Sequence, residues 1–223
     1  MYTPMVTGRG AWRARAWLAG ALCLALPAAV NADRLTYDST RWSDRVTGCD
    51  RLAAHPLDPH RVAPGVSQRD IDLDAAIRAC ERAVAVDPQH PRLNYQLARV
   101  YGYSGRGREA IAHRAVAVAG DYPQAVFVVG FLHLHGMNHQ PRDVCRAAEL
   151  IHRSARLGRL AGQVAYPRYV LQGRFDDCDA PRDRDALDAL LREAEATVGG
   201  DFYRTMLVEM LREAVAALPG DAD

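Results

Sequence analysis

The chain contains no lysine; all 28 of its basic residues are arginine. With alanine so abundant, the plain reading is the coding bias of a GC-rich genome. Aromatic residues make up only 7% of the chain. No glycine-rich phosphate loop, nucleophile elbow or His-Glu-x-x-His sequence occurs, which removes the usual signatures of nucleotide hydrolases, serine esterases and zinc proteases. No run alternates apolar and polar residues long enough to predict a strand. Long apolar runs are scarce too. Ala16 to Val30 is one, at 15 residues, short of the roughly 20 that span a bilayer.

That run reads as a targeting segment. Arg9, Arg13 and Arg15 precede it, and Val30-Asn31-Ala32 offers small or short side chains for a signal peptidase. Residues 1–32 are therefore expected to be a signal peptide cleaved after Ala32, leaving a periplasmic or secreted chain with no membrane insertion. Cys23 makes a poor lipid anchor, because Leu22 stands where a small residue is needed. Without its three leader arginines the mature chain holds 25 basic and 27 acidic residues, a net of about −2. That balance leaves no electrostatic footprint for nucleic acid.

Cys49, Cys80, Cys145 and Cys178 remain after cleavage. An even count in an exported chain favours two disulfides over four free thiols. Three connectivities are open. Spacing favours Cys49–Cys80 and Cys145–Cys178, since each pair then joins neighbouring elements.

Three regions follow the signal-like start. Residues 33–69 are irregular and turn-rich, broken by Pro56, Pro59, Pro64 and Gly65, with room for a short helix over 47–53. Helical periodicity then runs over 70–182, and 183–223 forms a closing pair of helices. The helices are expected at about 71–86, 91–103, 108–119, 122–135, 141–157, 160–171, 183–197 and 202–218, with Pro167 breaking or kinking the sixth. Loops are short, so successive helices should pack as antiparallel neighbours. The fold class is all-α.

Self-similarity sharpens this reading. Ala76 and Ala110 lie 34 residues apart, as do Ala83 and Ala117. Leu97-Ala98-x-x-Tyr101 followed by Gly105, Ala110 and Ala117 resembles a tetratricopeptide repeat. Ala125, Gly130, Gly136, Asp143, Ala147, Ala155 and Gly158 resemble the framework of a Sel-1-like repeat, with His133 in place of the usual tyrosine. A weaker copy follows at a 36-residue offset: Ala161 matches Ala125, and Tyr169 matches His133. The resemblance covers about 70–182. It implies a right-handed α-solenoid of antiparallel helical hairpins whose first helices line a concave face, and an adaptor or scaffold function without catalysis or cofactor. The expected partner is another protein or a peptide, with the oligomeric state left open. The groove positions it implies are Arg92, Tyr95, Arg99 and Tyr103 on one helix, and Gln124, Phe127, Phe131 and His135 on the next. Aromatic and arginine side chains are the usual anchors of protein interfaces. The plainer reading packs the same residues against adjacent helices.

One alternative function deserves statement. His133, His135 and His139 cluster with Met137, and imidazole with thioether could hold copper or zinc in an envelope metal-binding protein. Against it, His133 and His135 stand about 200° apart on a helix. The acidic cluster Asp176-Asp177-Cys178-Asp179 reads as a solvated loop rather than a calcium site.

Overall fold

The computed structural model describes residues 35–219. The signal segment expected over 1–32 lies outside them. Among the described residues there are nine α-helices and no strand: α1 (Gly48–Ala53), α2 (Leu73–Val86), α3 (Pro91–Tyr103), α4 (Ala110–Ala119), α5 (Pro123–His135), α6 (Val144–Arg156), α7 (Leu160–Leu171), α8 (Arg184–Val198) and α9 (Phe202–Ala216).

Local chemistry explains most boundaries. Asp72, Asp143, Asp183 and Asp201 each cap a helix, their carboxylates accepting from the backbone N–H of Ala75, Arg146, Ala186 and Arg204. Such a cap satisfies a donor that the helix itself cannot. Pro91 and Pro123 open α3 and α5 in the first turn, where a missing N–H costs nothing. Gly136 ends α5 at φ 66°, a left-handed conformation that glycine adopts freely. The break expected at Pro167 does not occur: α7 runs through it. Pro167 is buried, and its neighbour Tyr166 is fully buried with its hydroxyl donating to the Pro181 carbonyl at 2.7 Å. Packing holds the helix together across the lost hydrogen bond.

Successive helices pack on one another from α1 to α9, and α1 also reaches α3 while α7 reaches α9. This neighbour-to-neighbour order is compatible with a helical repeat protein. Two close helix approaches fall on glycines. A Cβ on Gly130 of α5 would stand 2.8 Å from Ile151, and one on Gly162 of α7 would stand 2.6 Å from the Ala155 nitrogen. Helices α5, α6 and α7 therefore touch nearly backbone to backbone.

The apolar core has two main parts. One gathers Ile77, Leu93, Leu97, Val100 and Tyr101 under α1 to α4. The other gathers Ile151, Tyr166, Phe175, Leu187, Leu191 and Val208 under α6 to α9. Each part carries one disulfide: Cys49–Cys80 joins α1 to α2, and Cys145–Cys178 joins α6 to the loop after α7. Both are pairings that the spacing favours.

Cys49 and Cys80 are fully buried and close a loop with a sequence separation of 31. The double substitution Cys49→Ala/Cys80→Ala should lower unfolding stability by roughly 3–4 kcal/mol, the chain-entropy value for such a loop. Urea titration of oxidised wild type against the variant measures the difference.

Candidate functional site

The face where the binding residues were expected is built by α3 and α5, and much of it is covered by the chain's own N-terminal segment. Helix α3 is buried on every side from Pro91 to Tyr101. Its polar residues explain how an irregular strand of chain can lie against it.

Asp50 in α1 is completely buried. Arg92 Nε donates to Asp50 Oδ1 at 2.9 Å, and Gln96 Nε2 donates to the same oxygen at 3.0 Å. The Thr47 backbone N–H and hydroxyl donate to Oδ2 at 2.8 Å each, while the Asp50 N–H returns a bond to the Thr47 hydroxyl. This is a capping box that also bridges to another helix. Burial pushes the Asp50 carboxyl upward, but the bonds from Thr47, the Arg92 charge and Gln96 outweigh it and hold its pKa below the ordinary value.

Arg92 and Arg99 otherwise bind backbone. Arg92 donates to the carbonyls of Ser43 and Arg45. Arg99 donates to those of Ala53, Ala54 and Val66, at 2.8–3.1 Å. Further along, the Tyr122 hydroxyl donates to Asp58 Oδ2 at 2.6 Å, and Asp58 is fully buried. Burial raises the Asp58 carboxyl above its usual value. Arg159 Nε donates to Gln124 Oε1 at 2.6 Å, and Gln124 Nε2 donates on to the Tyr95 hydroxyl at 3.2 Å. Tyr122 contacts Tyr37 edge-on and Tyr95 at a tilt, with ring centroids 5.5 and 5.6 Å away. The anchors Asp50, Asp58, Gln96 and Tyr122 were not singled out from sequence. Thr47-x-x-Asp50 is a capping signal that could have marked α1; nothing local marks Asp58.

The eight expected groove residues are thus divided. Arg92, Tyr95 and Arg99 are 5%, 4% and 7% exposed and sit beneath the N-terminal segment. Gln124 is buried in the Arg159–Tyr95 chain. Phe127 is half-buried against the C-terminal core. Tyr103 and Phe131 are half-buried, and the exposed His135 packs on Phe131 at 4.5 Å.

Four of the eight do meet. Tyr95, Arg99, Tyr103 and Phe131 line a cleft of about 240 Å³ between α3, α4 and α5. Its walls are mainly apolar, with Val128, Leu132 and Met137 beside the aromatic rings. Met137 is 47% exposed. Arg99 stacks on the Tyr103 ring at 5.2 Å and donates to its hydroxyl at 3.3 Å. Arg114 donates to the Asn138 carbonyl at 2.8 Å, tying the α5–α6 loop to α4. Asn138 and His139 both adopt positive φ, 51° and 61°, which side-chain-bearing residues seldom do. Such consecutive strained residues persist only where the surroundings hold them; a Cβ on Gly107 would stand 2.9 Å from the His139 ring, so the loop is seated tightly there.

The histidines do not converge. His133 Nδ1 donates to the Pro141 carbonyl at 3.0 Å, whereas His135 stacks on Phe131. Among the described residues no group of three or more His, Cys, Asp or Glu is placed to hold a metal ion, and this includes the acidic loop at 176–179.

Comparison of the chain with protein-family models, with curated proteins and with solved structures returns no match.

Two predictions follow from the buried charges. Arg92→Met leaves the Asp50 carboxylate out of water without its cation, and should cost about 3–5 kcal/mol. Adding Asp50→Asn should recover a substantial part, as read from urea midpoints. The second concerns acid. Burial lowers His55 to about 4, helped by Arg99 and Arg159. His60, His90 and His113 are also lowered, mainly by burial. A depressed folded pKa means the native state prefers the neutral ring, so this stability is present above 6.5 and is lost as pH falls toward 4. Stability should therefore decline over that window, and His55→Gln should flatten the decline. An equally steep profile in the variant would exclude His55 as a source.

Proposed function

We propose that the chain is a non-catalytic binding module of the tetratricopeptide/Sel-1-like kind that works in the bacterial envelope. It holds an apolar side chain of a partner protein or peptide in the cleft between α3 and α5. The observation that carries the proposal is the convergence of Tyr95, Arg99, Tyr103 and Phe131 on one apolar cleft with the exposed Met137 beside it. Aromatic rings with a methionine make a surface that accepts apolar groups of varied shape. The cleft volume suits an anchoring side chain better than a drug-sized substrate.

A binding role also fits what the polar groups are doing. Arg99 is engaged by backbone carbonyls and by Tyr103, and Arg114 by Asn138. Neither is positioned over the apolar walls as an acid, base or nucleophile would be. The repeat reading draws support from the 34- and 36-residue offsets and from the close helix contact at Gly130, a framework position of the resemblance. Export draws support from the leader pattern and from two disulfides, which persist in oxidising compartments. No described helix is long and apolar enough to cross a membrane.

The outer face of α9 adds a second candidate surface. Phe202, Tyr203 and Met210 are 71%, 76% and 60% exposed on it, with Met206 and Leu207 between them. Contiguous exposed apolar patches of this kind commonly mark association surfaces.

Selection of a peptide library against the oxidised protein tests the cleft. Selected peptides should share an apolar anchor residue. Tyr103→Ala/Phe131→Ala should weaken them by about 2 kcal/mol or more, the scale of an interface anchor, while Arg192→Ala should bind as wild type. Equal affinity in the cleft variant would rule out the assignment.

A further inference from the structure

A larger concavity lies elsewhere, between the N-terminal segment and α2, and shares no lining residue with the cleft. Its volume is about 550 Å³, within the usual span of small-molecule sites. One wall is aliphatic: Val46, Ala79, Ala83, Val86 and Leu93. Val86 is 87% exposed and Val46 is 37% exposed, so these two valines face water, while Ala79 and Leu93 at the base of the wall are buried.

Arg45, Arg51 and Arg82 also line the concavity, contributed by the irregular segment, by α1 and by α2. Among the described residues none of the three makes an ion pair with a carboxylate, so their guanidinium groups are open to an anion. Arg92 lines the same space, but its guanidinium is committed to Asp50 and to the carbonyls of Ser43 and Arg45. Asp87 is the acidic residue of the lining. His90 adds no charge. Its Nε2 donates to the Ser43 carbonyl at 2.9 Å, and burial keeps the ring neutral. The result is a positive rim around an aliphatic wall, where low-dielectric sides concentrate the field of the guanidinium groups.

We propose that this concavity binds a carboxylate carried on an aliphatic chain. The head group would lie among Arg45, Arg51 and Arg82, whose planar forks suit a carboxylate. The chain would lie along Val46, Ala83 and Val86, covering the apolar surface left in water, with the buried Leu93 at the floor. A small dense anion would leave the valines bare, and a neutral hydrocarbon would leave the arginines unused. Only a ligand with both parts meets the whole lining.

Decanoate is the probe, titrated into the full oxidised protein below its micelle concentration and followed by amide NMR shifts. Saturable one-to-one binding is expected, with shifts at Val86 and Leu93. Decanol should bind about tenfold more weakly, and so should decanoate to Arg45→Gln/Arg82→Gln, each reflecting a charge-assisted contact of roughly 1.4 kcal/mol. Acetate should show no saturable binding. Val86→Glu, at an exposed position remote from the core, should abolish decanoate binding and leave the helical spectrum intact. Equal affinity for decanol and decanoate, unchanged affinity in both variants, or shifts confined to Tyr103 and Phe131 would each overturn the assignment. The peptide result at the cleft is independent of all of them.

Discussion

Asp50 carries its charge with none of its surface in water, and the arrangement of the N-terminal half follows from how that charge is met. Its two oxygens take five donors from Thr47, Arg92 and Gln96. Thr47 belongs to the turn before α1, whereas Arg92 and Gln96 belong to α3. One carboxylate therefore closes a local cap and a long-range bridge together. A buried charge tolerates no partial satisfaction, so α1 has little freedom to sit anywhere but across α3. Arg99 then extends the attachment by taking three carbonyls of the chain that leaves α1. Those carbonyls have no ladder or helix to bind them, and the guanidinium supplies what secondary structure would.

The same fact decides what surface is left. A face lined with arginine and tyrosine looks open when its helices are drawn alone. Here it already binds an extended peptide, and that peptide is the preceding part of the chain. Backbone carbonyls and two carboxylates, Asp50 and Asp58, are received where a partner's might have been. What remains accessible lies toward the C-terminal end of α3 and α5. There Tyr103, Phe131 and the α5–α6 loop frame the cleft.

How much was legible in sequence depended on the range of the signal. Helices were readable because apolar periodicity and their punctuation are local: Asp87-Pro88 after α2, Pro91 at the start of α3, Gly136 after α5, Gly199-Gly200 before α9. Starts were placed two or three residues early at α2, α4 and α6, where capping residues and 3-10 or irregular turns precede the regular helix. Proline's local penalty points to a break or a kink at Pro167, and the packing around Tyr166, which accompanies an unbroken α7, lies outside any local window. The covering of α3 by the N-terminal segment is not legible in the sequence at all. Arg92 meets Asp50 across 42 residues and Tyr122 meets Asp58 across 64, in a segment without periodicity. Four of the expected binding residues do share a cleft, yet the buried carboxylates that organise the face lie in the stretch that reads as mere connector.

The two disulfides divide the chain in a way that bears on how it is made. Cys80 follows Cys49 by 31 residues, and both precede Cys145 by more than sixty. A chain that enters an oxidising space N-terminus first presents one complete native pair before any competing thiol of the second pair has arrived. The second pair then emerges with its rivals already consumed. Correct connectivity is thus favoured by order of appearance, with little need for a shuffling catalyst to repair crossed bonds. A circular permutation that brought Cys145 ahead of Cys49 without Cys178 would forfeit that advantage while leaving the finished fold unchanged.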